Sequence, residues 1–173
     1  MTGAQLSLTI EDHDITAALG RLNMLSGPTR IGLMRAIGVG LVETTQSRFD
    51  TATDPDGSAW KSLLPAYAAV KRGPGILREA GMRGGLQGSI TFAVTSASTV
   101  EVGTNKVYGA VHQFGAKIVP KNGKALVFRI GNRLVRAASV TIPARPYLGF
   151  GAADREMVQD VVEFTVAKLL RGK

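Results

Sequence analysis

The 173-residue chain contains two histidines, His13 and His112, and no cysteine. Thiol nucleophiles, disulfides and cysteine-ligated zinc are therefore excluded, and two imidazoles leave little for metal chemistry. His13 stands among Glu11, Asp12 and Asp14, as a turn or helix-capping residue would. His112 lies in Tyr108-Gly109-Ala110-Val111-His112-Gln113-Phe114-Gly115, one turn from Tyr108, and is the one candidate general base. No Ser-His-Asp arrangement or paired-carboxylate spacing accompanies it, so a hydrogen-bonded structural role is expected rather than catalysis. Asp54-Pro55-Asp56-Gly57 brings two carboxylates together, but the spaced oxygen ligands and closing Glu of a calcium loop are missing. Pro to fix φ, Asp to bond back to the backbone and Gly to take positive φ suit a turn instead, anchored by Trp60, the single tryptophan. No cofactor and no metal is expected.

What remains is charge. The net charge of +8 is uneven: residues 71–150 carry twelve Lys and Arg against two acids, whereas residues 1–70 carry five against seven. A one-sided field of this kind attracts nucleic acid or an acidic protein, or is a solvated basic face. Lys71, Arg72, Arg78, Arg83, Lys117, Lys121, Lys124, Arg129, Arg133 and Arg136 are the candidates to face DNA or a lumen. No aromatic residues interleave with them in the manner of a single-strand stacking platform. With no run of eighteen apolar residues and no cleavable leader pattern, neither a membrane span nor a secretory signal is expected, and the product is expected in the cytosol.

The elements that must position these residues follow from periodicity. Residues 1–27 form a first segment: Leu6, Leu8 and Ile10 alternate as in a strand, and a short helix over 15–25 follows. Residues 28–173 form one α+β domain. Pro28 opens a long helix to about Phe49 whose apolar stripe is Ile31, Met34, Ile37, Leu41, Val42, Thr45 and Phe49. Gly38 and Gly40 inside it each cost about 1 kcal/mol against Ala, which predicts close approach of another helix or subunit. Residues 66–88 are rich in Gly and basic side chains and are expected to be a flexible loop that orders on assembly. An antiparallel sheet of four to five strands follows, over 89–96, 99–103, 116–119, 125–130 and 133–142, with the short helix at Tyr108 burying Val111 and Phe114 between strands. Gly131-Asn132 is the tight hairpin turn. Pro143 and Pro146 end the sheet, and a helix over 152–170 closes the chain, burying Met157, Val158, Val161, Val162, Thr165 and Leu169. Asp154 and Glu156 in its first turn and Lys168 and Arg171 in its last complement the helix dipole.

Three motifs stand in order: Asp54-Pro55-Asp56-Gly57 with Trp60 and Leu63, then Tyr108 to Gly115, then Ile142-Pro143-Ala144-Arg145-Pro146-Tyr147-Leu148-Gly149. Together with Ile76-Leu77 ahead of the strands, they resemble the virion morphogenesis (tail completion) family of Mu-like phages over about residues 30–170. Residues before 30 and the basic stretch 117–136 fall outside the resemblance. It implies a structural protein, not an enzyme, that oligomerises, as a ring of which a hexamer is one option. Such a ring finishes the tail or joins it to the head, meeting other neck or tail proteins. It implies no membrane contact, residence in the virion after assembly in the host cytoplasm, and fold or subunit-contact roles for His112, Gln113, Phe114, Arg145, Pro146 and Tyr147. Non-specific contact with phage DNA would suit the basic middle. The competing expectation is a basic nucleic-acid-binding protein outside any virion.

Overall fold

The computed structural model describes residues 27–79 and 85–171; the expectations for residues 1–26, including His13, and for Arg83 lie outside them. The architecture is α+β. Helix α1 (Gly27–Thr51) is followed by a helical turn α2 (Pro65–Ala68), a 3-10 turn (Gln87–Ser89), strands β1 (Ile90–Ser96) and β2 (Thr99–Thr104), and helix α3 (Gly109–Phe114). Then come β3 (Ala116–Ile118), β4 (Leu126–Ile130), β5 (Arg133–Ala137), β6 (Val140–Ile142) and helix α4 (Ala152–Arg171).

The strands do not form the single sheet of four to five expected. They form three two-stranded antiparallel ladders, β1–β2, β3–β6 and β4–β5. The expected strand over 133–142 breaks at Ala138-Ser139, so that its second part, β6, pairs back to β3 (Ala116↔Ile142) while its first part closes a hairpin with β4. Gly131 at that hairpin tip takes φ +57°, as its turn requires.

Helix α1 is the shared support, lying against β1, β2 and α4. One core cluster joins Leu33, Met34 and Ile37 to Val158 of α4. The other joins Phe49 to Trp60, Leu86, Ile90, Tyr147 and Leu148. The two mid-helix glycines are crowded, one by the helix expected and one by a strand: a Cβ on Gly40 would run into the Met157 thioether of α4, and one on Gly38 into the Phe92 ring of β1. The stripe on α1 lies where expected from Met34 to Phe49, with two additions and one loss. Ile31 is exposed, Leu33 is buried in the cluster with Val158, and Arg48 is buried because it has a buried acid to meet. On α4, Val158 is buried and Met157, Val161 and Val162 are half-buried, but Leu169 is exposed at the open groove between α1 and α4.

The described part of residues 66–88 is tied to the body at several points. Leu86 is buried in the core, Gln87 Nε2 donates to the Gln46 carbonyl and to Asp50, and Arg78 pairs with Asp50, while the Lys71 ammonium braces the loop itself by donating to the carbonyls of Arg72, Gly73 and Arg78.

Candidate functional site

The three motifs converge on one extended strap, residues 142–149, between β6 and α4. Beyond Ile142, which ends the β3–β6 ladder, its prolines keep it out of any ladder, so its buried backbone groups need partners from elsewhere. Gln113 supplies three of them. Its side-chain carbonyl accepts from the N–H groups of Tyr147 and Leu148, at 3.0 Å each, and its amide donates to the Leu148 carbonyl at 2.8 Å. A carboxamide serves here because it presents donor and acceptor together, copying a strand's backbone.

This use of Gln113 corrects the orientation expected for α3. Phe114 is not buried: it is 64% exposed, Val111 is half-buried, and Gln113 and Gly109 face inward. Satisfying three buried backbone groups outweighs burying one phenyl ring on a six-residue helix. Gly109 lets the strap come close, since a Cβ there would sit 2.8 Å from the Tyr147 hydroxyl oxygen. Gly115, at φ +74°, ends the helix, and a Cβ there would sit 2.8 Å from the Ala144 nitrogen. Conformation and space both require glycine.

The first motif holds the strap from the other side. Asp54 Oδ1 accepts from the N–H groups of Asp56 (3.0 Å) and Ser58 (2.8 Å), closing the turn around Gly57 at φ +84°. The turn delivers Trp60 edge-on to Phe49, at 5.4 Å between ring centroids, and the indole N–H donates to the Pro146 carbonyl at 2.8 Å. Phe49 also packs on Tyr147 at 5.3 Å. Pro55 lies directly on Gly149 and Gly151. Arg145 is buried and answers the chain beyond Trp60: Nε donates to the Lys61 carbonyl at 2.8 Å and its guanidinium to that of Ser62 at 3.2 Å. Its backbone N–H donates to the His112 carbonyl at 2.7 Å.

Two residues that sequence reasoning missed complete the lock. Arg48 donates to the Tyr147 carbonyl at 2.8 Å and forms a buried ion pair with Asp154. The carboxylate of Asp154, fully buried, also accepts from the Gly151 N–H (2.7 Å) and the Thr44 hydroxyl (2.6 Å). In sequence Asp154 reads as a dipole-complementing acid and Arg48 carries no signal; 106 positions separate them, and no local pattern marks such a pair.

His112 lies edge-on to Tyr108, at 6.0 Å between centroids, and its Nδ1 is buried with no hydrogen bond. Burial, and then the Arg145 charge, hold its pKa below the ordinary value, so it is neutral at pH 7. Tyr108 donates to Glu79 at 2.9 Å, and burial together with that bond pushes its hydroxyl up to about 12. The Tyr108 hydroxyl is thus a weaker acid than usual, the wrong direction for a proton donor near neutrality. Tyr147 is likewise pushed up to about 12 by burial. Among the described residues no three His, Asp or Glu side chains gather as metal ligands would. No helix there is long and apolar enough to cross a membrane.

The basic candidates do not form one stripe. Lys71 is spent on loop carbonyls and Arg78 pairs with Asp50 at 3.2 Å. Arg72, Lys117, Lys121, Lys124, Arg129, Arg133 and Arg136 are exposed. Arg129 and Arg136 share one face of the β4–β5 hairpin, opposite Leu134 and Val127 in the ladder, whereas Arg133 pairs with Ile130 on the other face.

The chain is similar to two proteins along nearly its whole length. It is 23% identical over 170 residues to "Putative capsid assembly protein G" of Escherichia phage Mu, covering 96% of this chain and 97% of that protein. It is 28% identical over 153 residues to "Mu-like prophage FluMu G protein 2" of Haemophilus influenzae, covering 88% and 89%. No solved structure matches it. The sequence profile of the phage virion morphogenesis family matches residues 10–167, a span that takes in every residue of the strap and its clamps and begins ahead of the first motif. With three motifs that interlock on one strap and a profile match over that span, the chain belongs to the phage virion morphogenesis family.

Proposed function

We propose that this phage structural protein is a tail-completion subunit that assembles with copies of itself into a ring at the neck or tail end, and that it catalyses nothing. Finishing the tail or joining tail to head is its task, and other neck or tail proteins are its neighbours. The observation that carries this reading is where the motif side chains are spent. Gln113, Trp60, Arg145 and Asp54 are all consumed in fastening the strap. A groove enclosing about 720 Å³ runs between α1 and α4, and no motif residue lines it. The name of the phage Mu relative, a capsid assembly protein, points the same way. Exposed Arg129, Arg136 and the lysines of residues 117–124 are available to subunit partners or to passing DNA, where phosphate contact needs no base reading.

The test is deletion in a phage that carries the gene, with electron microscopy of the lysate. Unjoined heads and unfinished tails, restored by the wild-type gene and by a His112→Asn variant that keeps the fold, are expected. Normal infectious particles without the gene, or rescue that depends on an assayable reaction at His112, would overturn the proposal.

A further inference from the structure

The β4–β5 hairpin has its substantial contacts within itself, and α4 has its own only with α1. Both leave a finished face without cover. On the hairpin, Leu126, Phe128 and Val135 form the half-buried inner side. The outer side carries Val127 (55% exposed) and Leu134 (54% exposed), flanked by Arg129 and Arg136. A two-stranded hairpin is marginal alone, and one with apolar residues on both faces gains by being covered on both.

On α4, Asp154 and Val158 are buried and Met157, Val161, Val162, Thr165 and Val166 are half-buried. Glu156, Asp160 and Glu163, at spacings of four and three, make an exposed acidic ridge that borders the groove between α1 and α4, which Asp160 and Phe164 (72% exposed) line. The two surfaces match in kind: two arginines and two aliphatic side chains on one, three carboxylates and an exposed phenyl ring on the other. Neither surface is self-complementary, since like charges would face each other across a two-fold axis. A contact between different patches runs head to tail and closes as a ring when the rotation allows.

We propose that copies of this chain meet head to tail, the outer face of the β4–β5 hairpin of one copy lying on the acidic ridge of α4 in the next. This deepens the self-assembly reading above and rests on it. Arginine suits the role, since its planar fork bonds carboxylates while its stem covers apolar surface. Long-range attraction speeds encounter and fades with salt, and Val127, Leu134 and Phe164 supply the part that salt does not screen.

The experiment uses two charge-reversed full-length chains, Arg129→Glu/Arg136→Glu and Asp160→Lys/Glu163→Lys, all at exposed positions where the fold tolerates change. Sedimentation and native mass spectrometry then read the association. The wild type is expected to self-associate, each variant alone to lose at least tenfold in association constant, and the equimolar mixture to recover it in species holding both chains alternately. Val127→Ser/Leu134→Ser, with charges kept, is expected to weaken association too and serves if a reversed chain fails to fold. Variants that assemble like the wild type would overturn this interface while leaving self-assembly standing. A mixture that stays dissociated while both chains remain folded would overturn the pairing. Loss of duplex DNA retention by the arginine variant, with assembly unchanged, would assign the hairpin to nucleic acid instead. A wild type of single-copy mass at every concentration would remove both this interface and the self-assembly reading.

Discussion

Replacing Gln113 with Leu is expected to lower stability by about 3 kcal/mol, because two buried N–H groups and one buried carbonyl lose their partners and each such loss costs about 1–3 kcal/mol. For a domain of this size that is a fall in Tm of about 10 °C, measurable by calorimetry. Phe114→Ser, one position along, is expected to stay within about 0.5 kcal/mol, since the ring is already in water. Arg48→Ala, which strands Asp154 in the core, is expected to cost about 3–5 kcal/mol by denaturant titration. Stability should also fall at both ends of the pH range. Tyr147 and Tyr108 keep their protons in the fold up to about 12, whereas the unfolded chain releases them near 10. Their contribution is complete below pH 10 and is lost as pH rises through 12. His112, held below its ordinary pKa of 6.5, stays neutral in the fold when the unfolded chain has taken up a proton. Stability therefore declines as pH drops below about 6.5, and His112→Asn should flatten that slope. At this scale the turn and its tryptophan were legible, because Pro, Asp and Gly act locally. The Arg48–Asp154 pair and the inward turn of Gln113 were not, because their reasons lie in backbone groups far along the chain.

Helices and turns follow from spacing. Both long helices, the α3 plug with its closing glycine, the hairpin turn at Gly131 and the two prolines that end the sheet are each dictated within a few residues. The glycines of α1 extend this to packing: their propensity cost predicted a close neighbour, and Phe92 and Met157 are that neighbour. Gly38→Ala is accordingly expected to destabilise by about 1–3 kcal/mol through overpacking against Phe92, although in an exposed helix the same change stabilises by about 1 kcal/mol. Chemical denaturation gives the sign, and a stabilised variant would contradict the packing described. Strand partnership was the weaker reading. Alternation shows which residues share a face but not which strand lies alongside, so one sheet and three ladders look alike in sequence. The break at Ala138-Ser139, which sends β6 back to β3 and aims the strap at Gln113, carries no local signal.

At the scale of the molecule, the three motifs that mark the family are fastenings: they hold residues 142–149 against α1, α3 and the Asp54 turn. What is left outward is a basic hairpin, an acidic helix ridge and exposed apolar side chains, the surfaces on which the proposed self-assembly draws. The charge distribution foresaw the basic middle; it could not foresee that Lys71 and Arg78 are used internally and that the hairpin arginines are shared between two faces. Mass as a function of concentration, by analytical ultracentrifugation at low salt with electron microscopy of any large species, tests the self-assembly account most directly. Closed species of one discrete multiple of the chain mass, dissociating on dilution and in high salt, are predicted. A single-copy mass throughout the concentration range would contradict it.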